Sequence, residues 1–146
     1  IDKYIGDGIM ALFDHSVDDA LNAGIEMLEQ LRQYNLERFD EGLIPFDIGI
    51  GINTGNLMLG TVGSEGRMEG TVISDAVNAA SRVESLTKYY SAPMLITDAT
   101  FHGLAHPTDY IFRMVDKVQL ITISIAKEKG HCFPPAGNKY GNIFII

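Results

Sequence analysis

Apolar and polar positions follow two periods along the chain, and these predict its strands and helices. Short apolar runs on either side of Gly6-Asp7-Gly8 predict a β-hairpin with Asp7 on its turn. Ser16 followed by two aspartates is typical of a helix start, and apolar residues at helical spacing extend this helix to about residue 38. A second helix is predicted from Ser74 to about Tyr89, because no proline or glycine interrupts it.

Alternating positions between and after the helices predict further strands. Phe46–Ile52 has the period of a strand, and its glycines, Gly49 and Gly51, would let another element approach closely. We expect the next strand, Leu57–Val62, to pair with it as a hairpin across 53–56. The remaining segments predict a loop, two strands and a short helix: Gly63–Gly70, Pro93–Thr97, Tyr110–Leu120 and Asp98–Leu104. This order predicts an α+β or α/β fold with one sheet and helices packed on it.

Composition narrows the classes of function. The 146 residues suit one domain, and 11 basic against 19 acidic side chains give a net charge of −8. That balance disfavours binding to nucleic acid or an anionic membrane. The single cysteine, Cys132, excludes an intramolecular disulfide or a thiolate zinc cluster and favours an intracellular location. No apolar run is long enough to cross a bilayer.

The charge is unevenly distributed along the chain. Residues 1–118 carry 8 basic and 18 acidic side chains, whereas residues 119–146 carry three lysines and one glutamate. The second segment also contains Pro134-Pro135 and the apolar end Ile143–Ile146. The composition therefore changes near residue 119.

Taken singly, the candidate functional residues have ordinary structural explanations. Residues 49–66 are rich in glycine but lack Gly-Lys-Ser/Thr, so strand packing and turns explain them better than phosphate binding. Asp7 suits a turn, and Asn78 and Arg82, four apart, suit a solvated helix face. The four histidines show no metal-binding spacing.

Three ordered motifs together give a more specific signal. They are IDKYIGDGIMALF at 1–13, IGIGINTG at 48–55 with LGTVGS at 59–64, and RMEGTVISDAVNAASRVE at 67–84. This combination resembles the catalytic domain of class III adenylate/guanylate cyclases, particularly the cyanobacterial type. The resemblance implies an α+β fold of the ferredoxin-like or palm type, with a single, mostly antiparallel sheet. It also implies that the first strand lies upstream of Ile1, so that the domain is N-terminally truncated.

The resemblance implies a reaction that depends on two divalent cations, Mg²⁺ or Mn²⁺. Members of this family convert a nucleoside triphosphate to a 3′,5′-cyclic monophosphate and pyrophosphate, and the cations activate the ribose hydroxyl and neutralise phosphate charge. Asp7 matches the second of the two aspartates that hold the metals. The first would precede Ile1, so this chain supplies one aspartate ligand.

Lys3 and Thr71 match the pair that contacts the base in this family. An ammonium group donates to N1 of adenine, and a hydroxyl oxygen accepts from the 6-amino group. Guanine carries a hydrogen at N1, which would face the charge of Lys3. The resemblance and this polarity together predict ATP as the substrate.

Asn78 and Arg82 match the helix pair that orients the ribose and meets charge on the α-phosphate in the transition state. Family sites lie across a dimer interface, with the metal ligands on one subunit and this pair on the other. Because the chain carries both sets, the resemblance implies a homodimer with two equivalent sites. It also implies an upstream regulatory domain and a cytoplasmic catalytic domain, whose full-length protein could be attached to a membrane.

The resemblance ends near residue 118. Family members continue with a Lys-Gly-Lys turn that contacts the triphosphate, whereas this chain has Ile121-Thr122-Ile123. We therefore expect a partial cyclase domain over 1–118 and an unmatched tail over 119–146, produced by a shifted reading frame or by a divergent extension.

Two functions remain open at this stage. The chain is a segment of an adenylate cyclase catalytic domain, or a non-catalytic remnant that dimerises or binds nucleotide weakly. Because the chain lacks the first metal aspartate and the phosphate lysine, we expect negligible turnover from it alone.

Overall fold

The computed structural model describes residues 1–62, 69–73, 75–119 and 140–145, with β4, β5, β8 and residues 118–119 described by their backbones. The helices in these ranges are α1 (Val17–Asp40), α2 (Asp75–Tyr90) and α3 (Asp98–Gly103), and a short 3-10 turn spans Pro107–Asp109. The strands are β1 (Lys3–Ile5), β2 (Gly8–Met10), β3 (Ile50–Ile52), β4 (Met58–Val62), β5 (Glu69–Ile73), β6 (Met94–Thr97), β7 (Arg113–Gln119) and β8 (Tyr140–Ile145). The predicted hairpin around Asp7 and both long helices are confirmed.

The described strands form three sheets. A four-stranded sheet has the order β3-β6-β8-β7, while β1-β2 and β4-β5 form two-stranded sheets. Every described pairing is antiparallel except that of β3 with β6. The α+β class and the mostly antiparallel pairing are therefore confirmed, whereas the expected single sheet is divided.

The predicted hairpin between the strands on either side of 53–56 is wrong. β3 pairs in parallel with β6, and β4 pairs with β5, which begins inside the loop expected over 63–70. The side chain of Asn53 donates to the carbonyl of Ala76 and accepts from Thr97, so the chain after β3 is bound to other elements instead of turning back. Residues 63–68 of the expected loop lie outside the described ranges.

β3 is also shorter than predicted at its N-terminal end. The backbone N–H of Phe46 donates to Asn35 Oδ1 at 3.1 Å, and the carbonyl of Phe46 accepts from Asn35 Nδ2 at 2.8 Å. Both backbone groups of Phe46 are thus bound to a helix side chain. The regular strand consequently begins only at Ile50.

The core lies on both faces of β6. Met94 and Ile96 pack with Leu21 of α1, while Leu95 packs with Val83 of α2. Successive side chains of a strand point to opposite faces, so α1 and α2 cover opposite faces of the four-stranded sheet. All four residues of β6 are buried. The predicted packing of helices on the sheet is confirmed.

Two glycines let α2 lie directly against β3. A Cβ on Gly51 would collide with the backbone of Ala80 and Glu84, and one on Gly49 would meet the side chains of Thr87 and Glu84. The close approach predicted for this pair is confirmed, and it places α2 against the backbone of β3. Helix packing explains both glycines.

The N-terminus of α1 is fixed by polar contacts. Ser16 caps the helix by accepting from the N–H of Asp18 at 3.1 Å. The carboxylate of Asp18 accepts from the backbone N–H of Ala105 at 2.8 Å and of His106 at 3.3 Å, and these bonds lower its pKa.

Within the described ranges, no helix is long and apolar enough to cross a membrane.

The C-terminal part of the chain contributes to the main sheet. β8 lies between β6 and β7, and its backbone pairs antiparallel with both. Residues 120–139, which include Ile121–Ile123, lie outside the described ranges. The division of the chain after residue 118 stays a prediction.

Candidate functional site

The hairpin β1-β2 carries Lys3 and Asp7. Gly6 and Asp7 form its turn, and Gly6 has a φ of +62°, which suits a residue without a side chain. The Asp7 side chain is exposed, and no described residue bonds to its carboxylate. With respect to the described residues, Asp7 is therefore available to bind a cation or another positively charged group.

Lys3 lies at the base of the same hairpin, opposite Met10. Its Nζ atom is 3.4 Å from Oδ2 of Asp2, and about a third of its side chain is exposed. An ammonium group has three donors, so this ion pair leaves donors for a ligand.

Asn78 and Arg82 lie on α2, in its first and second turns. The face of α2 that touches β3 includes Ala80 and Glu84. Residues two apart on an α-helix point about 200° apart, so Asn78 and Arg82 point away from β3. Asn78 is exposed and Arg82 is half-buried.

Thr71 lies in β5, where its backbone is paired with Gly60. The structure thus brings Lys3 together with Asp7 on one hairpin, and Asn78 together with Arg82 on one helix. No hydrogen bond or ion pair between described residues joins the two sets.

A polar cluster to which the motifs assign no role lies beside the start of α2. It consists of Asn53, Thr54, Thr97 and Thr100, with the carbonyl groups of Ile52 and Ala76. Thr97 caps α3 by accepting from the N–H of Thr100 at 3.3 Å. One signal in the sequence could have indicated part of this cluster. Thr97-Asp98 follows a predicted strand, and a threonine before an aspartate is typical of the start of a helix.

A family model for the adenylate and guanylate cyclase catalytic domain matches residues 3–133. The chain belongs to the adenylate and guanylate cyclase catalytic-domain family. It is 48% identical over 122 residues to an adenylate cyclase of Anabaena cylindrica, covering 80% of this chain and 24% of that protein. It is 41% identical over 124 residues to an adenylate cyclase, terminal-differentiation specific, of Dictyostelium discoideum, covering 81% of this chain and 6% of that protein. The chain therefore spans a quarter or less of these relatives.

Solved cyclase structures share the fold of this cyclase domain. The structure of a bacterial light-regulated adenylyl cyclase aligns with a TM-score of 0.72 over 98% of this chain and 37% of that one, at 21% identity. The guanylyl cyclase Cya2 aligns with a TM-score of 0.63 over 99% of this chain and 67% of that one, at 30% identity. The fold expected from the three motifs is confirmed.

Cyclase domains of this family depend on divalent cations, but the described residues do not form a complete metal site. No group of three or more His, Cys, Asp or Glu side chains in the described ranges is placed to hold an ion. Asp7 offers one carboxylate, and carboxylate oxygen is a ligand that Mg²⁺ and Mn²⁺ prefer. Within the described ranges, Asp7 is therefore a candidate for one carboxylate ligand.

Proposed function

We propose that this chain carries the nucleotide-binding residues of an adenylate cyclase. In that reaction the ribose 3′-oxygen of ATP bonds to the α-phosphorus, the bond from that phosphorus to the bridging oxygen breaks, and 3′,5′-cyclic AMP and pyrophosphate form. The 3′-hydroxyl proton is released to the solvent. The observation that carries the proposal is the placement of the matched residues in two sets, Lys3 with Asp7 and Asn78 with Arg82.

Lys3 and Thr71 select the base in this proposal. The comparisons include proteins named as adenylate and as guanylyl cyclases, so the family alone leaves the base open. The ammonium of Lys3 would donate to N1 of adenine, while the N1 hydrogen of guanine would face a positive charge. This polarity supports ATP over GTP.

Asn78 and Arg82 orient the ribose and stabilise the developing charge. Their common face on α2 would let an amide contact the sugar while a guanidinium donates to the α-phosphate oxygens. A planar guanidinium matches several phosphate oxygens better than an ammonium does. Because family sites lie across a dimer interface and this chain carries both sets, we propose that a second copy supplies the complementary set in a homodimer. We place this domain in the cytoplasm.

The alternative function is a non-catalytic remnant of a cyclase that dimerises or binds nucleotide weakly. The sequence Ile121-Thr122-Ile123, where the family has Lys-Gly-Lys, supports this alternative. An aliphatic side chain cannot neutralise a phosphate, so phosphate charge would be less compensated in this chain.

Nucleotide binding separates these functions. We would titrate the purified chain with ATP and with GTP in the presence of Mn²⁺, by calorimetry, and assay cyclic AMP and cyclic GMP separately. We expect saturable ATP binding about tenfold tighter than GTP binding, since one charged hydrogen bond contributes about 1.5–3 kcal/mol. Lys3→Met should remove the preference, and the control Lys88→Met, in the last turn of α2, should keep it.

The assay of cyclic AMP and cyclic GMP tests the expected lack of turnover. We expect negligible cyclic AMP from the chain alone, and robust product would contradict that expectation while supporting the cyclase assignment. Equal or tighter GTP binding would overturn the proposed substrate. Absence of saturable binding of either nucleotide would favour the remnant.

A further inference from the structure

We propose that Asn53 is a positioning residue, which holds the first turn of α2 so that Asn78 can contact a bound nucleotide. The inference rests on the proposed function for the role of Asn78, and on the described polar cluster for everything else. Asn53 lies one residue after β3 and 23 positions before Ala76 in the sequence. The motifs give it no role of its own.

Asn53 links the start of α2 to the end of β6. Its Nδ2 donates to the carbonyl of Ala76 at 3.0 Å, and its Oδ1 accepts from the hydroxyl of Thr97 at 2.8 Å. Ala76 is in the first turn of α2, and Thr97 is the last residue of the buried strand β6. One amide side chain therefore connects the helix to the buried strand β6.

The neighbouring hydroxyl groups fix the orientation of this amide. Thr97 accepts from the N–H of Thr100 at 3.3 Å and lies 3.1 Å from the hydroxyl of Thr100, which donates to the carbonyl of Ile52 at 3.3 Å. Thr97 is thus left to donate to Asn53, so Oδ1 faces Thr97 and Nδ2 faces Ala76. If the amide were reversed, Oδ1 of Asn53 would face the carbonyl oxygen of Ala76, and the two acceptors could not form a hydrogen bond.

Two of the threonines in the cluster, Thr97 and Thr100, are buried. Thr100 is fully buried, and Thr97 is 4% exposed. Breaking a hydrogen bond here would leave an unsatisfied polar group away from water, which is costly. The position of the Thr97 hydroxyl, and through it that of Asn53, is therefore strongly determined.

The helix is also held close to the chain that follows β3. A Cβ on Gly55 would lie 2.9 Å from Cβ of Ala76, so the two backbones meet closely at this point. Asn78 is two residues beyond Ala76 and exposed. A shift of the first turn of α2 would therefore move Asn78 before it moved the buried part of the helix.

Asn53→Asp is the sharpest variant, since it keeps the shape and the acceptor for Thr97 but replaces the donor to Ala76 with an oxygen. We expect ATP binding with Mn²⁺ to weaken about tenfold and amide hydrogen exchange over residues 77–80 to quicken about tenfold. Asn35→Asp is the matched control. Its amide also bonds to a donor and an acceptor, both on Phe46, so we expect a similar loss of stability with ATP affinity changed less than twofold.

A double-mutant cycle tests whether Asn53 acts through Asn78. Asn78→Ala should itself weaken ATP binding, and adding Asn53→Asp to it should weaken binding by less than a further twofold. If the two substitutions weaken ATP binding independently, so that their factors multiply in the double mutant, the positioning role is overturned. Unchanged hydrogen exchange over residues 77–80 in Asn53→Asp would also overturn it. An equal loss of ATP affinity in Asn35→Asp would reduce the role to one of general stability and also overturn it.

The two proposals fail in different measurements. If the wild-type chain binds no ATP, the proposed function fails, and hydrogen exchange still decides whether Asn53 holds the first turn of α2. If the wild type binds ATP but Asn53→Asp changes neither exchange nor affinity, the positioning role fails and the proposed function stands.

Discussion

The β1-β2 hairpin and the α2 helix each carry one set of the matched residues, but their surroundings differ. The hairpin pairs with no other described strand, and Tyr4 and Ile9, its central cross-strand pair, are 70% and 61% exposed. The helix packs Val83 into a core shared with Leu95, and both are fully buried. One half of the proposed site is therefore held by the protein core, whereas the other, as far as the described strands extend, is held by one backbone ladder.

Two isoleucines test this contrast most strongly. Ile96→Ala in β6 should lower the free energy of unfolding by about 3 kcal/mol, because it leaves a cavity in the core. Ile9→Ala on the hairpin removes the same atoms from an exposed position and should change it by less than about 0.5 kcal/mol. Urea unfolding followed by circular dichroism measures both. Equal losses would show that the hairpin is integrated with the core.

Two glycines give the next largest effect. Gly51→Ala should destabilise the chain by about 2 kcal/mol, because the new methyl group would push α2 away from β3. Gly6→Ala meets nothing within 4 Å, but its φ of +62° is unfavourable for alanine, so we expect a loss of about 1 kcal/mol, confined to the hairpin. Hydrogen exchange locates each effect, and faster exchange in α2 of Gly6→Ala would contradict the separation.

The smallest effect concerns the link between α2 and β7. The hydroxyl of Tyr90 donates to Asp116 at 2.7 Å, which raises the pKa of Tyr90 to about 12 and lowers the pKa of Asp116. The stabilisation from this hydrogen bond is complete between about pH 4 and 10, and it is lost as the pH rises from about 10 to 12. It is also lost as the pH falls from about 4 through the lowered pKa of Asp116.

Tyr90→Phe should therefore be less stable than the wild type between about pH 4 and 10, and this difference should shrink at both ends. Thermal unfolding across the pH range measures it, with Tyr89→Phe, on the exposed neighbour, as the control. A difference that is independent of pH would mean that the tyrosine contributes by packing alone.

Local signals predicted the starts of the two long helices and the first turn well, because caps and turns depend on neighbouring residues. Ser16 caps α1, and the Gly6-Asp7 turn closes the first hairpin, as their residue types predict. Strand pairing was harder to predict. Gly51 faces Leu95 across 44 positions, and nothing in the turn chemistry at 53–56 encodes a parallel partner so far along the chain.

The candidate site shows the same limit. The motifs indicated Lys3 with Thr71 for the base, Asp7 for a metal, and Asn78 with Arg82 on one helix face. They could not reveal the bonds of Asn53 to Ala76 and Thr97, which join three separate elements. An isolated asparagine after a strand is typical of a turn, and its actual partners depend on how α2 and β6 pack.

The position of β8 has a consequence for the order of folding. β7 pairs with β8 and not with β6, although β6 and β7 are made earlier. Among the described strands, β7 is therefore joined to β3 and β6 only through Tyr140–Ile145. The helices and the first hairpin depend on nearby residues and can form early, whereas the main sheet requires contacts between distant parts of the chain, which form slowly.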